Sequence, residues 1–258
     1  MLFRDYQPYD PSSLKIERHA DVAPNDIERQ RMDSLVDEIL ESYSTDDYFG
    51  AGFTEAMGAI ERVHRSAGET IGGHVVEFAA GICKLGGFLT RLDTVDKVTC
   101  IDFSDRLLTE IAPRVISHID GDLSKVTFLV ADMNRLPELD LGRIDWLVGY
   151  YAVHHLAEPR QFFARMHDRV GAVFTYREPV VPIVPIPTGS MRGFLRAQAR
   201  KRREGEYERN YSLLGYRRAA AGYSFRTVSV YGHTRLRETI SSVVWPRQWD
   251  VAYVLRPR

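Results

Sequence analysis

The central and C-terminal parts of the chain alternate short apolar runs with longer segments whose apolar residues recur at helical spacing. The runs are rich in β-branched and aromatic residues, which is typical of buried strands. Strands that alternate with helices predict an α/β fold with a Rossmann-like, doubly wound and mostly parallel sheet of seven strands. The last two runs predict an antiparallel pair, so that the last strand runs against its neighbours. The predicted strands are residues 74–78, 98–101, 126–130, 144–149, 171–176, 225–231 and 249–255.

Residues 1–70 lack this alternation and are predicted to form an N-terminal arm with cap helices, separate from a sheet domain over residues 71–258. Prolines and aromatic residues over residues 1–24 indicate an irregular arm. Asn25 followed by Glu28 is typical of a helix start, and residues 54–65 predict a second helix. Two interpretations stay open for these helices: they cap a ligand cleft, or they cover one face of the sheet.

The segment 180–222 is predicted to be an insertion that contributes to the substrate site. Three prolines in its first part exclude a helix and a central strand, so this part is predicted to be an extended loop. Residues 191–209 interleave basic side chains with glutamates, which favours a solvated helix with internal ion pairs. The alternative is that its arginines bind a carboxylate or phosphate on a substrate.

A turn of small residues follows the first predicted strand, in the sequence EFAAGIC of residues 77–83. Small residues let the backbone turn sharply and approach a ligand closely. A dinucleotide site wants the spacing G-x-G-x-x-G, whereas the small positions here are Ala79, Gly81 and Cys83. The acidic Glu77 suits a ligand with a cationic amino group and no phosphate.

This turn resembles the first motif of the class I S-adenosylmethionine-dependent methyltransferases, E/D-x-G-x-G-x-G, with Ala79 and Cys83 in place of two glycines. Three later segments fall where that family would have them. Asp102 follows the second strand, Asp132 follows the third, and the sequence YYAVHHL of residues 150–156 follows the fourth. The resemblance covers about residues 75–160 in motifs and implies S-adenosyl-L-methionine as the cofactor.

The resemblance also implies a set of cofactor-binding residues. Glu77 is expected to face the amino group of the cofactor, with the backbone of the turn beside it. A strand-end carboxylate suits the two hydroxyl donors of a ribose, which assigns Asp102 to the sugar. Asp132 is expected to accept from the adenine amino group. The full expected set is Glu77, Ala79, Gly81, Asp102, Phe103, Asp132, Met133 and Tyr150, with Phe103 and Met133 against the adenine and Tyr150 beside the methionine portion.

Methyl transfer to a hydroxyl, a protonated amine or a carbon acid releases a proton, and histidine is suited to take it near neutral pH. His154 and His155 are therefore the candidate catalytic residues, His154 first, against the alternative of a capping or packing role. Residues 176–178, at the end of the fifth strand, are further candidates. No metal site is predicted.

Composition narrows the choice of partners. The 34 basic and 35 acidic residues nearly balance, so no global field attracts nucleic acid or an anionic membrane. Two cysteines in predicted core elements, with no secretion signal or long apolar run, predict a cytoplasmic protein. The expected partner is a small-molecule acceptor, with a homodimer as one option for assembly.

The function predicted from these observations is a methyltransferase that acts on a small molecule, in specialised metabolism because of the substrate-sized insertions. Two alternatives stay open. One is a nicotinamide-dependent oxidoreductase, which would also use an acid after the second strand for its ribose. The other is a non-catalytic S-adenosylmethionine-binding protein, which the replaced glycines at Ala79 and Cys83 would suit.

Overall fold

The computed structural model describes residues 5–19, 26–42, 69–180, 211–228 and 249–258, together with residues 58, 60, 61, 63, 196 and 199. In this part of the chain the backbone forms one eight-stranded sheet with helices on both faces. The strands are β1 (Lys15–Arg18), β2 (Gly73–Phe78), β3 (Val95–Asp102), β4 (Val126–Val130), β5 (Ile144–Tyr150), β6 (Val170–Val180), β7 (Tyr223–Val228) and β8 (Trp249–Pro257).

The order of the strands in the sheet is β1-β4-β3-β2-β5-β6-β8-β7. The chain leaves β2 toward β3 and β4 on one side, and then returns to build β5 and β6 on the other side. All pairs from β1 to β6 are parallel, whereas β8 lies antiparallel between β6 and β7. The predicted doubly wound sheet with an antiparallel last strand is confirmed. Ligands of such sheets bind beyond the carboxyl ends of the strands, where the strand order reverses, which here is between β2 and β5.

The sheet has one strand more than the seven predicted, because part of the N-terminal arm joins it. β1 pairs in parallel with β4, from Lys15 opposite Thr127 to Arg18 opposite Val130. The irregular arm predicted for residues 1–24 is therefore wrong at these four residues. Three of the four β1 side chains are exposed, so the strand lacks the apolar alternation that would predict it. Its backbone ladder and an ion pair of 3.0 Å from Arg18 to Asp105 hold it.

Five helices lie in the described ranges, and local signals explain several of their ends. The Ser212 side chain accepts from the Gly215 amide and begins the last helix, and Pro159 occupies the first turn of the fourth, where its missing N–H costs nothing. A π-helical turn at Leu107–Ile111 precedes Pro113 and lets the third helix continue to His118. The helices are α1 (Asp26–Ser42), α2 (Lys84–Leu89), α3 (Ala112–His118), α4 (Pro159–Met166) and α5 (Leu213–Ala219).

Each face of the sheet has its own apolar core. One core packs α1, α2 and α3 against the sheet through residues such as Val36, Leu85 and Ile116. The other packs α4 and α5 against the opposite face through residues such as Phe163 and Tyr216. The two cores cover both faces of the sheet. The carboxyl ends of its strands are left as the edge at which a ligand can bind.

Several predicted segments lie outside the described residues. These are the two ends of the arm, most of the second cap helix, the proline-rich loop after residue 180, most of the basic segment 191–209 and the connection 232–248. The described residues of the second cap helix, at positions 58, 60, 61 and 63, are helical, as are residues 196 and 199 of the basic segment. Over the described ranges, no helix combines the length and the apolar character that crossing a bilayer requires.

Candidate active site

A cavity of about 580 Å³ lies beyond the carboxyl ends of the parallel strands. The segments that follow β2, β3, β4 and β5 each contribute to its wall, and α1 covers it from the N-terminal side. Its lining in the described part of the chain is Met32, Leu35, Ala79, Gly81, Ile82, Asp102, Phe103, Leu107, Asp132, Met133, Asn134, Tyr151, His155 and Ala157. The cavity therefore occupies the place where a doubly wound sheet binds its ligand.

The turn after β2 keeps a glycine-type backbone although two of its three motif positions are not glycine. Ala79, Gly81 and Cys83 have φ values of 49°, 50° and 54°. This left-handed conformation costs a non-glycine residue about 1–2 kcal/mol. A Cβ built on Gly81 would meet no atom within 4 Å, so the backbone here faces open space. The turn is thus shaped for the close approach of a ligand.

Asp102 ties the turn after β2 to the end of β3. Its Oδ2 accepts from the Gly81 amide at 2.8 Å and its Oδ1 accepts from the Ser104 amide at 2.9 Å. Burial raises the pKa of this carboxyl, and backbone hydrogen bonds from Ser104, Gly81 and Phe103 oppose that rise. A carboxylate offers about four lone-pair positions, so Asp102 can still accept from ligand hydroxyls in the cavity.

Asp132 has a similar local role after β4. Its Oδ1 accepts from both the backbone and the side-chain nitrogen of Asn134 at 2.9 Å. The Asn134 Oδ1 in turn accepts from the Ala157 amide at 2.9 Å, which links the loops after β4 and β5. Asn134 lines the cavity and was not predicted. The Asp-x-Asn spacing could have predicted it, because the Asp132 carboxylate accepts hydrogen bonds from the residue two positions later and so holds it in place.

Glu77 lies behind the turn, and the structure does not place it among the described residues that line the cavity. Its carboxylate is buried and accepts from the Gly86 amide at 2.7 Å and from the Leu85 amide at 3.3 Å. A Cβ on Gly86 would lie 2.6 Å from the Glu77 Oε2, so only glycine allows this approach. The sequence predicts that Glu77 faces the ligand, whereas in the structure its oxygens accept from the first amides of α2, which need acceptors.

The turn after β5 is held by an acid from the next strand. The Glu178 Oε1 accepts from the Ala152 and Val153 amides, both at 2.9 Å, and its Oε2 lies 3.1 Å from the His154 Nδ1. Glu178 and His154 are both buried. His154 does not line the described cavity, whereas His155 does, and the centroids of the two rings are 4.1 Å apart. Of the two histidines predicted from the sequence, the structure thus places His155 in the cavity wall and His154 in the core against Glu178.

Tyr151, and not the predicted Tyr150, lines the cavity. Tyr151 has a φ of 55°, and its amide donates to the Tyr176 carbonyl at 3.1 Å. This positive φ turns the chain directly after β5, so that the second of the two tyrosines faces the cavity. Tyr150 packs instead against Tyr176 of β6, with 5.6 Å between their ring centroids.

Residues 77–170 match the family model of a methyltransferase domain. Over these residues the chain is similar to the S-adenosylmethionine-dependent methyltransferases. The cofactor of this family is S-adenosylmethionine. No curated protein matches the chain.

Solved structures of other methyltransferases share the fold at low sequence identity. Phosphoethanolamine N-methyltransferase 2 of Haemonchus contortus, in complex with S-adenosylmethionine, is 12% identical with a TM-score of 0.54, over 80% of this chain and 53% of that chain. The plantazolicin methyltransferase BpumL, in complex with a desmethyl substrate analogue and S-adenosylhomocysteine, is 10% identical with a TM-score of 0.51, over 90% and 91%. The N-terminal domain of EvdMO1 with S-adenosylhomocysteine is 14% identical with a TM-score of 0.52, over 93% and 100%.

The lining of the cavity offers groups of the kind that S-adenosylmethionine requires. A polar sugar needs acceptors, which Asp102 supplies, and a flat base needs apolar surface beside a polar edge, which Phe103, Met133 and Asp132 supply. The open space over Gly81 leaves room for a ligand against the turn. The predicted residues in the wall are Ala79, Gly81, Asp102, Phe103, Asp132, Met133 and His155, whereas Glu77, Tyr150 and His154 are absent from its described part.

The N-terminal helix α1 both lines the cavity and covers one face of the sheet. Met32 and Leu35 line the cavity, and Val36 and Ile39 are buried in the core below. Leu35 is 37% exposed, which is unusual for a large apolar residue and places it at the rim. Sequence periodicity predicted the helix, but it did not tell which of its apolar residues reach the cavity.

Glu77, Cys83 and Cys100 bring three ligand-type atoms within 4.8 Å of one another. All three side chains are buried, and burial raises the pKa of both thiols and of the Glu77 carboxyl. Metals bind the thiolate and not the thiol. We therefore assign this cluster to packing beneath the turn.

Proposed function

We propose that the protein transfers the methyl group of S-adenosylmethionine to a small-molecule acceptor, in specialised metabolism. The observation that carries this proposal is one cavity that joins cofactor-type residues, Asp102 and Asp132, to a histidine and a tyrosine, His155 and Tyr151. Its volume of about 580 Å³ lies within the range of small-molecule sites, roughly 300–1,000 Å³. The balanced charge of the chain gives no support for nucleic acid as the acceptor.

The proposed cofactor contacts follow from the wall of the cavity. Asp102 accepts from the ribose hydroxyls and Asp132 from the adenine amino group. Phe103 and Met133 pack against the base, and the backbone at Ala79 and Gly81 lies against the methionine portion. Glu77 acts indirectly, because it fixes α2 and with it the shape of the turn.

S-adenosylmethionine would supply a methyl group on a sulfonium, with S-adenosylhomocysteine as the leaving group. The protein has to hold the acceptor in line with this methyl group and exclude water, and such positioning alone can provide several kcal/mol. We propose that His155 takes the proton that the acceptor loses, since it is the histidine in the cavity wall. His154 is proposed as a positioning residue that Glu178 anchors beneath it.

Titration calorimetry with S-adenosylhomocysteine tests the cofactor assignment. The intact protein is expected to bind it in the micromolar range, and Asp102→Asn to weaken binding by about tenfold through loss of a charged acceptor. Asp140→Asn is the matched control, because Asp140 is an exposed aspartate that does not line the cavity. Absence of binding by the intact protein would reject the proposal. Equal weakening by both variants would reject the role of Asp102.

The nicotinamide alternative is set aside, because the family model that matches describes a methyltransferase domain. The cytoplasmic location, the homodimer and the division at residue 70 stay predictions from the sequence. Both cysteines are buried and free, which agrees with the positions predicted for them in the core.

A further inference from the structure

Asn134 lies in the wall of the cavity between two loops that the proposed function assigns to different parts of the reaction. Asp132, on one side of it, belongs to the proposed adenine site, and Ala157, on the other side, follows the turn that carries His155. All four residues line the cavity and are half-buried. A side-chain amide in such a wall can offer a donor and an acceptor to a ligand. Asn134 is therefore placed to contact the cofactor directly.

The hydrogen-bond partners of Asn134 fix the orientation of its side-chain amide. The Asn134 Oδ1 accepts from the Ala157 amide at 2.9 Å. The Asn134 Nδ2 donates to the Asp132 Oδ1, also at 2.9 Å. If the amide were turned over, its nitrogen would face an N–H donor and its oxygen would face a carboxylate oxygen, so both hydrogen bonds would be lost. The nitrogen is therefore held beside Asp132.

One donor and one acceptor of the Asp132–Asn134 pair stay available to a ligand. The Asn134 Nδ2 carries two hydrogens, and Asp132 accepts one of them. Within the described ranges of the chain, no group accepts the second hydrogen and no group donates to the Asp132 Oδ2. A ligand that offers an acceptor beside a donor can pair with both atoms at once, and each such hydrogen bond favours binding.

Adenine presents the complementary groups side by side. Its amino group is a donor, and a ring nitrogen acceptor, N1 or N7, lies on either side of that group. The proposed function places the amino group on the Asp132 carboxylate. A donor directly beside that carboxylate then meets a ring nitrogen of the same base, as when an asparagine binds the edge of adenine in DNA. Hypoxanthine carries an oxo group in place of the amino group and so lacks the donor.

We propose that Asn134 is a specificity-determining residue, which donates from its Nδ2 to a ring nitrogen of the adenine while Asp132 accepts from the amino group. This inference rests on the proposed function and adds the residue that recognises the second atom of the base. The hydrogen bond from the Ala157 amide holds Asn134 in the orientation that this contact needs. The pair thus selects S-adenosyl compounds over compounds with an altered purine edge.

Analogues of S-adenosylhomocysteine with one altered edge atom test the proposal by titration calorimetry. The probes are S-inosylhomocysteine and the 1-deaza and 7-deaza analogues, in which a C–H group replaces the ring nitrogen. One of the two deaza analogues is expected to bind the unmodified protein about fivefold more weakly than S-adenosylhomocysteine, because it loses one hydrogen bond. S-inosylhomocysteine is expected to bind about 100-fold more weakly, because its oxo group faces the Asp132 carboxylate.

Variants of Asn134 assign the preference to this side chain. In Asn134→Leu, the difference between S-adenosylhomocysteine and the weaker deaza analogue is expected to fall below about twofold, whereas a merely structural role would weaken both ligands equally. Asn134→Asp keeps an acceptor for the Ala157 amide but has no donor, so it should lose the difference as well. Gln161→Leu is the matched control and should keep the full difference, because Gln161 is an exposed amide outside the described cavity wall.

Failure of this inference is distinct from failure of the proposed function. Should the unmodified protein bind S-adenosylhomocysteine and both deaza analogues equally well, Asn134 does not contact a ring nitrogen. Equal binding of S-inosylhomocysteine would likewise overturn the recognition of adenine by this pair. A deaza difference that persists in Asn134→Leu assigns the ring nitrogen to another donor and overturns the inference. Absence of S-adenosylhomocysteine binding by the unmodified protein would instead overturn the methyltransferase proposal.

Discussion

The cavity has a proposed cofactor end, with Asp102 and Asp132, and a proposed acceptor end, with Tyr151 and His155, and the two ends are built in different ways. At the cofactor end, Asp102 and Asp132 each accept from an amide two residues further on, so each acid shapes the turn that it begins. At the acceptor end, Glu178 reaches back 24 to 26 residues to hold the turn that carries His154 and His155. Each acid of the first end thus has a local hydrogen bond, in addition to the longer-range bond from the Gly81 amide to Asp102, whereas the second end rests on contacts between strands alone. Local contacts leave a motif in the sequence, whereas contacts between strands do not.

The largest effect is expected from Glu178→Leu, which removes the acceptor that holds the turn after β5. Two buried amides and the His154 Nδ1 would lose their partner, and each buried polar group left unsatisfied costs about 1–3 kcal/mol. Urea unfolding measures the change. Glu138→Leu is the control, because Glu138 forms exposed ion pairs with Arg135 and Arg165 and should cost less than about 1 kcal/mol. Equal losses for the two variants would show that Glu178 does not organise the acceptor end.

The ionisation of Glu77 is expected to change the free energy of unfolding with pH, by an amount on the order of a few kcal/mol. Burial raises the pKa of this carboxyl from 4.5 to about 8 in the folded protein. The folded state thus holds the proton more tightly than the unfolded state, so this stabilisation is full below pH 4.5 and is lost as the pH rises toward 8.

Glu77→Gln mimics the protonated side chain and removes this dependence. Its stability relative to the unmodified protein should therefore rise between about pH 5 and pH 8, in urea unfolding at several pH values. Parallel stability curves for the two proteins would contradict the raised pKa. Such a result would also favour the prediction from the sequence that Glu77 faces the cofactor.

A change in rate without a change in cofactor binding is expected from His155→Gln. Loss of a general base lowers the rate about 10²-fold or more, measured as S-adenosylhomocysteine formation with an acceptor that a broad panel identifies. His154→Gln should mainly lower stability, because His154 is buried on Glu178. A larger loss of rate in the stable fraction of His154→Gln than in His155→Gln would restore the order of the two histidines predicted from the sequence.

The smallest effect is expected from Ala79→Gly at the cofactor end. Glycine adopts the left-handed φ of 49° without strain, but it also loses more entropy on folding, so the net gain should stay below about 1 kcal/mol. Ala164→Gly, on the exposed face of α4, should instead lose about 1 kcal/mol. Thermal unfolding of the two variants compares them. A loss at both positions would show that Ala79 is not strained.

Much of the fold could be predicted from periodicity, because apolar alternation and helical spacing record which faces are buried. β1 could not be predicted in this way. It is an edge strand with mostly exposed side chains that pairs with β4 through its backbone, so its sequence carries no apolar alternation. In the site, Asp102 and Asp132 could be located because each closely follows a predicted strand. Glu77 also ends a strand but lies behind the turn, since the amides of α2 compete for it.

The sequence by itself determined which segments form strands and helices, and that Asp102 and Asp132 lie just after two of the strands. Strand periodicity and turn chemistry are encoded within a few residues, so a sequence pattern reveals them. Only the tertiary structure decided that His155 and Tyr151, rather than His154 and Tyr150, face the cavity. Adjacent residues on a turn point in different directions, and the choice between them depends on Glu178 and Tyr176 of the next strand. Residues that come into contact only when two strands pair have no fixed separation in the sequence, so no sequence pattern predicts the contact.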